Sequence, residues 1–263
     1  MAHAALSTPS GHQYEERFAR GGIGQAGVKL LDQGAFSAWL DDWSLKSGTQ
    51  SPLPGSLTFT LEDKTIALDL KVSTPWVLQG DKGFSKKSAK GQASYYYSQP
   101  HIDVVGKISG VDGDIDLIGK AWLDREWSSQ PLAPDQPGWD WLSIHLDDGY
   151  ALMIYRLRQL SGEHWYSGTW VAPDGSSEKL GPEDLVFEPL KLSEVNTKEG
   201  ETRSLPLHWQ VELPAKNKRW TVHAPVPDQW LNTTFPYWEG PVTVTDLVTG
   251  SIAGEGYLEL TGH

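Results

Sequence analysis

The sequence predicts an all-β fold of many short antiparallel strands, a barrel or a sandwich. Three observations carry that prediction. Apolar and polar residues alternate with period two along most of the chain; Gly, Asp, Asn and Pro interrupt the alternation at short intervals; and helical patterning is scarce. Leu57, Phe59 and Leu61 face one way with Thr58 and Thr60 between them, and Ile66, Leu68 and Leu70 resume the pattern after a turn at 62–65. An Asp112-Gly113 turn leads into Ile115 and Leu117, alternating with Asp114 and Asp116. Leu142, Ile144 and Leu146 form the first arm of a hairpin within 139–158. Asp147-Asp148-Gly149 turns the chain, and Tyr150, Leu152 and Ile154 return. Further strands are expected at 164–171, at Leu205 to Leu213, and at 220–223 after a turn at Asn217. A closing pair over 242–247 and 256–260 is joined around Gly250. Gly181-Pro182-Glu183-Asp184 suits a single helical turn, and Gly21-Gly22-Ile23-Gly24 a loop.

The 263 residues suit one large β domain or two ordinary ones, and 38% hydrophobic with 21% charged residues suits a folded chain. No apolar run reaches the length of a membrane-spanning helix, and no signal-peptide pattern opens the sequence. A net charge of −12, from 34 acidic against 22 basic residues, argues against a nucleic-acid partner, which needs a basic face. Without cysteine there is no disulfide and no thiolate nucleophile. The 13 tryptophans are the compositional anomaly: they either fill core or line a cavity for an apolar ligand. The segment 128–138 (SSQPLAPDQPG) holds three prolines and no periodicity, and is the expected boundary between two β units, 1–132 and 133–263.

Two clusters could carry chemistry. On a strand, Trp122, Asp124 and Glu126 share a face, with Trp127 adjacent, so an indole and two carboxyls project together. A carboxyl desolvated among indoles has a raised pKa and can act as a general acid. The alternative is a strand end whose acids bond a loop or Arg125. Tyr95 and Tyr97 share a face of the Tyr95-Tyr96-Tyr97 run. They would present two rings to one cavity, where cation–π attraction of roughly 0.5–2 kcal/mol each stabilises a carbocation. The alternative is ordinary core packing. Trp139-Asp140-Trp141 repeats the aromatic–acid–aromatic theme with Asp140 opposed to both indoles. A loose echo joins AWLDDWS at 38–44 to AWLDREWS at 121–128, read in both copies as a strand ending in acids between indoles. The eight histidines show no metal-binding spacing, and no nucleophile-elbow or phosphate-loop pattern occurs.

At AWLDDWSL (38–45), LQGDKGFSKK (78–87), ASYYYSQP (93–100), GKAWLDREWSSQPL (119–132), GWDWLSIHLDDGYALMIYRLR (138–158), YWEGPVTV (237–244) and GEGYLELTG (254–262), the chain resembles the AttH-like family, which shares its fold with carotenoid 1,2-hydratase. The resemblance implies two tandem lipocalin-like (calycin) antiparallel β-barrel units, an exported or periplasmic protein, and no cofactor. Family members carry further N-terminal strands. The first unit is therefore expected to be incomplete, or completed by a second copy in a homodimer. The hydratases' essential aspartate corresponds to Asp124, whereas their His-x-Trp pair falls near Tyr95 and Tyr97 without a matching residue.

Three functions follow as expectations. In the first, a lipocalin-like protein holds a long apolar molecule, isoprenoid or lipid, with Tyr95, Trp122, Trp127, Trp139 and Trp141 as binding residues. In the second, a hydratase uses Asp124 to protonate an isoprenoid double bond, Tyr95, Tyr97 and Trp122 to stabilise the cation, and Glu126 to orient water. In the third, an accessory scaffold of an export system has a core filled by tryptophan and no cavity.

Overall fold

Period-two alternation becomes strand almost throughout the computed structural model, which describes residues 1–9, 11–30, 34–111, 113–197 and 200–263. Among them there are two single-turn 3-10 helices, one at Gly21–Ile23 where a loop was expected, and no α-helix. The strands are β1 (Ala2–Thr8), β2 (Gly11–Arg17), β3 (Ala26–Leu30), β4 (Phe36–Leu40), β5 (Trp43–Lys46), β6 (Gly55–Leu61), β7 (Lys64–Val72), β8 (Val77–Leu78), β9 (Phe84–Lys86), β10 (Ala93–Gly110) and β11 (Gly113–Trp127). They continue as β12 (Trp139–Leu146), β13 (Ala151–Leu157), β14 (Trp165–Val171), β15 (Ser177–Leu180), β16 (Val186–Asn196), β17 (Thr202–Leu213), β18 (Lys218–His223), β19 (Trp230–Leu231), β20 (Tyr237–Asp246) and β21 (Ile252–Thr261). Of the expected turns, Asp112 lies outside the described residues. Gly181–Leu185 forms a hydrogen-bonded turn, closed by the Asp184 amide on the Gly181 carbonyl (3.1 Å), not a helix.

Packing divides the chain into two units, Met1–Ser73 with His101–Trp122, and Thr74–Pro100 with Leu123–His263. This differs from the expected break at 132/133: residues 74–100 and 123–132 belong with the second unit. The proline-rich stretch is no free linker. Ser128 Oγ donates to the Ala93 carbonyl (2.7 Å), Gln136 Nε2 donates to the Lys87 carbonyl (2.8 Å), and Ala133 is buried. Proline removes ladder donors, so side-chain bonds hold this segment instead.

In the first unit, β3 to β7 form a meander continued by the C-terminal part of β10, which pairs with β7 from Ile102↔Val72 to Ser109↔Thr65. The β1–β2 hairpin pairs separately, and Arg17 Nη2 ties it to Thr60 Oγ1 of β6 (2.8 Å). Phe36, Leu40, Trp43, Leu61, Ile66 and Leu70 are among its buried apolar residues. The two copies of the echo fold differently. In the first, Asp41 adopts φ 52° and turns β4 into β5; in the second, β11 runs straight through to Trp127.

From β12 onward the second unit is one curled antiparallel sheet in the order β15-β14-β13-β12-β21-β20-β18-β17-β16, with β19 on β20. Its two outermost strands feed one core, Leu180 from β15 and Phe187 and Val195 from β16, so the sheet closes around that core. Alternate residues of every strand point inward: Leu142, Ile144, Leu152, Ile154, Leu258 and Leu260 join Trp209, Trp220 and Trp238. The rings stack, Phe187 on Trp209 at 4.3 Å and Tyr150 on Trp170 at 4.8 Å. Buried indoles find acceptors, Trp209 Nε1 on the Pro206 carbonyl (2.5 Å) and Trp238 Nε1 on that of Pro227 (2.7 Å). Glycine lets β21 press onto β12: a Cβ at Gly256 would lie 2.0 Å from the Ser143 carbonyl oxygen.

Candidate functional site

The residues of β12 and β13 that point away from this core build a cavity. Trp139 pairs across the strands with Leu157, and Trp141 with Tyr155. Over them lie β9, the N-terminal half of β10, the end of β11 and Ser128–Leu132. Between these layers is a void of about 300 Å³ lined by Tyr96, Trp127, Trp139, Trp141 and Tyr155, with Lys87 and Glu126 as its charged groups. The second unit therefore apportions its tryptophans to both sequence-based alternatives. Trp170, Trp209, Trp220, Trp230 and Trp238 fill the interior, while Trp127, Trp139 and Trp141 wall a hollow on the outer face.

Tyr96 is the hinge of the polar arrangement. Its side chain is buried, and its hydroxyl accepts a hydrogen bond from Trp141 Nε1 (3.1 Å). Burial first, then the charges of Asp124 and Glu126, drive its pKa well above the ordinary tyrosine value, so it is a neutral phenol able to donate. Asp124 is the partner within reach, and it also accepts from Ser98 Oγ. Ser98 is oriented in turn by Gln79 Nε2 (2.8 Å), and Gln79 Oε1 by Thr169 Oγ1 (2.5 Å). This chain of bonds fixes the Asp124 carboxyl one hydrogen bond behind the cavity wall.

Glu126 stands at the wall itself. Its Oε1 accepts from Ser94 Oγ (2.5 Å) and pairs with Lys87 Nζ (2.5 Å). The Lys87 ammonium also lies over two aromatic faces, 4.3 Å from the Tyr155 ring centre and 5.1 Å from that of Tyr96. Tyr155 is steadied by Ser85 Oγ (3.0 Å).

The expected site residues distribute as follows. Glu126, Trp127, Trp139 and Trp141 line the cavity, Asp124 lies behind Tyr96, and Trp122 belongs to the first unit and not to this wall. Tyr95 and Tyr97 point the other way. Tyr95 is 57% exposed and stacks on Trp127 at 5.8 Å, and Tyr97 meets Trp76 and Trp127 edge-on. In a Tyr-Tyr-Tyr run both faces of the strand are aromatic, so periodicity cannot choose between them. The small buried residues Ser94 and Ser98 on either side of Tyr96 were the available cue. Lys87 and Tyr155 left no pattern in the sequence.

A second acid pair backs the same wall. Glu239 of β20 lies opposite Glu259 of β21, which is itself opposite Trp141, and Trp139 Nε1 donates to Glu259 Oε1 (2.6 Å). Burial, reinforced by Glu259, pushes Glu239 up to about 7 against hydrogen bonds from Tyr237 and Tyr257. Burial also raises Glu259, opposed by the Trp139 bond and reinforced by Asp124 and Glu126. Among the described residues no group of three or more His, Cys, Asp or Glu side chains is placed to hold a metal ion.

A nearly all-β chain whose antiparallel sheet curls around one core defines this as a lipocalin-like β protein. The AttH-like family model matches residues 1–263, and the chain belongs to that family. Among solved structures it is similar to an AttH protein of Nitrosomonas europaea, with 34% identity and a TM-score of 0.83, covering 99% of this chain and 80% of that one. It is also similar to kievitone hydratase of Nectria haematococca, at 17% identity and a TM-score of 0.67, covering 91% of this chain and 69% of that one. At that identity the second likeness speaks for the fold alone. No protein of curated function matches the sequence.

Proposed function

We propose that this protein binds a compact apolar small molecule in the outer-face cavity of its second unit. The observation that carries the proposal is an aromatic hollow of about 300 Å³, walled by three indoles and two phenols, on the outer face of a sheet whose inner face is filled by a continuous apolar core. A cavity of about 150 Å³ accommodates one benzene. The occupant is therefore about two rings in bulk, or one end of a longer isoprenoid or lipid, rather than a whole long chain.

A hydratase is the second reading, favoured by the Asp124 carboxyl fixed one hydrogen bond behind the wall. In that reading Asp124 takes up a proton, its bond with Tyr96 reverses so that the carboxyl donates, and it gives that proton to Tyr96 as the Tyr96 hydroxyl proton passes to the alkene carbon. The resulting cation faces Trp141 and Tyr155. Water adds to it, and Glu126 takes the proton the water sheds.

Native mass spectrometry after incubation with isoprenoids, fatty acids and two-ring aromatic compounds tests both readings. A retained ligand, lost in Trp141→Ala, is the expected result. No adduct across the panel would overturn the binding proposal. A mass gain of one water on the ligand, absent in Asp124→Asn with binding retained, is the signature of the hydratase. Turnover that persists in Asp124→Asn excludes Asp124 as the acid.

A further inference from the structure

Resting on that binding reading, we infer the charge of the occupant: the cavity is built for a molecule that carries a positive centre, a quaternary or protonated amine on a compact apolar skeleton. The molecule supplies its own demonstration, because a cation already occupies the aromatic cage. Lys87 Nζ sits over the faces of Tyr155 and Tyr96, at 4.3 and 5.1 Å, and against Glu126 at 2.5 Å, with its side chain only 13% exposed. Ring faces present negative potential, and desolvation strengthens their hold on a cation. The remaining aromatic wall is Trp127, Trp139 and Trp141.

The surrounding charges point the same way. Asp124 and Glu126 flank Tyr96, and among the described residues Lys87 is the one cation lining the void. An anionic head group entering here would meet Glu126 at the wall and Asp124 behind it, with the Lys87 ammonium already paired. A neutral ligand meets no such opposition. A cationic one gains both the ring faces and the carboxyls.

The test is a charge series on one two-ring skeleton: 2-naphthoate, 2-naphthylmethanol and (2-naphthylmethyl)trimethylammonium, each titrated into the intact protein by calorimetry and tryptophan fluorescence. The ammonium compound is expected to bind about tenfold or more tighter than the carboxylate, with the alcohol between them. Lys87→Met frees the cage without much change of bulk. It should tighten the ammonium compound several-fold relative to the alcohol titrated into the same variant. Equal or tighter binding of the carboxylate overturns the inference, as does weaker ammonium binding in Lys87→Met. The series on the unaltered protein decides independently if the variant does not fold. Alcohol binding without a charge preference defeats this inference and leaves the binding proposal standing, whereas binding by none of the three, nor by the apolar panel, defeats both.

Discussion

The two faces of the second unit's sheet use the same strands and the same kind of residue for opposite ends. On β12 and β13, Leu142, Ile144, Leu152 and Ile154 enter a core where Trp209 and Trp238 are fully buried. One position along, Trp139, Trp141 and Tyr155 surround empty space. The difference comes from what covers each face. The inner face meets its own sheet curled back on it, so every inward side chain finds a complementary neighbour. The outer face meets short strands and a proline-rich segment, whose backbone must satisfy its own hydrogen bonds before it can fill gaps. Tryptophan on a strand therefore does not indicate a ligand site; tryptophan facing an irregular layer does.

Breaking the inner face should have the largest effect. Trp209→Ala is expected to cost about 3–5 kcal/mol in denaturant unfolding, by lost transfer energy and an unfilled cavity. Asp140→Ala belongs to the same class, since Asp140 is fully buried against Arg156 (2.8 Å), Arg158 (2.6 Å) and His263 (2.7 Å). Removing it strands two guanidinium groups, at a cost of about 3–5 kcal/mol. Trp141→Ala on the outer face should cost less than half as much stability yet weaken ligand binding by about tenfold or more. Equal stability losses on the two faces would show that the outer cavity is collapsed in solution.

The acid pair offers a pH test of the outer face. Glu239 has a folded pKa raised from 4.5 to about 7, so the folded state holds a proton that the unfolded chain releases. Stability from this group is complete below pH 4.5 and lost as pH rises through about 7. Glu239→Gln should flatten that slope and stabilise the protein at pH 8, as thermal melts across the range would reveal. An unchanged slope would mean the pair is open to solvent. The smallest effect is expected from Tyr96→Phe. It removes the acceptor for Trp141 and the donor to Asp124, at about 1 kcal/mol of stability, and lowers affinity by a few-fold.

Hairpins were legible in the sequence because a strand's side-chain period is local. The β6–β7 and β12–β13 pairs fall where Leu57 to Leu70 and Leu142 to Ile154 alternate. The acidic–aromatic run at 122–127 was legible as chemistry, but its geometry was not. Asp124 reaches the cavity through Tyr96, a residue the alternation argument set on the wrong face. Ser128–Gly138 read as a linker because proline abolishes periodicity. Its role emerged only from bonds to Ala93 and Lys87, about 35 and 49 positions away.

The sequence by itself determined the all-β class, the hairpin turns and the residue types of the site, since these follow from nearest-neighbour backbone preferences and side-chain chemistry. Only the tertiary structure decided which tryptophans became core and which became wall, where the units divide, and that Lys87 meets Tyr155, Tyr96 and Glu126. Those outcomes depend on which distant segment covers each face of a strand, and the period of a strand carries no record of its cover.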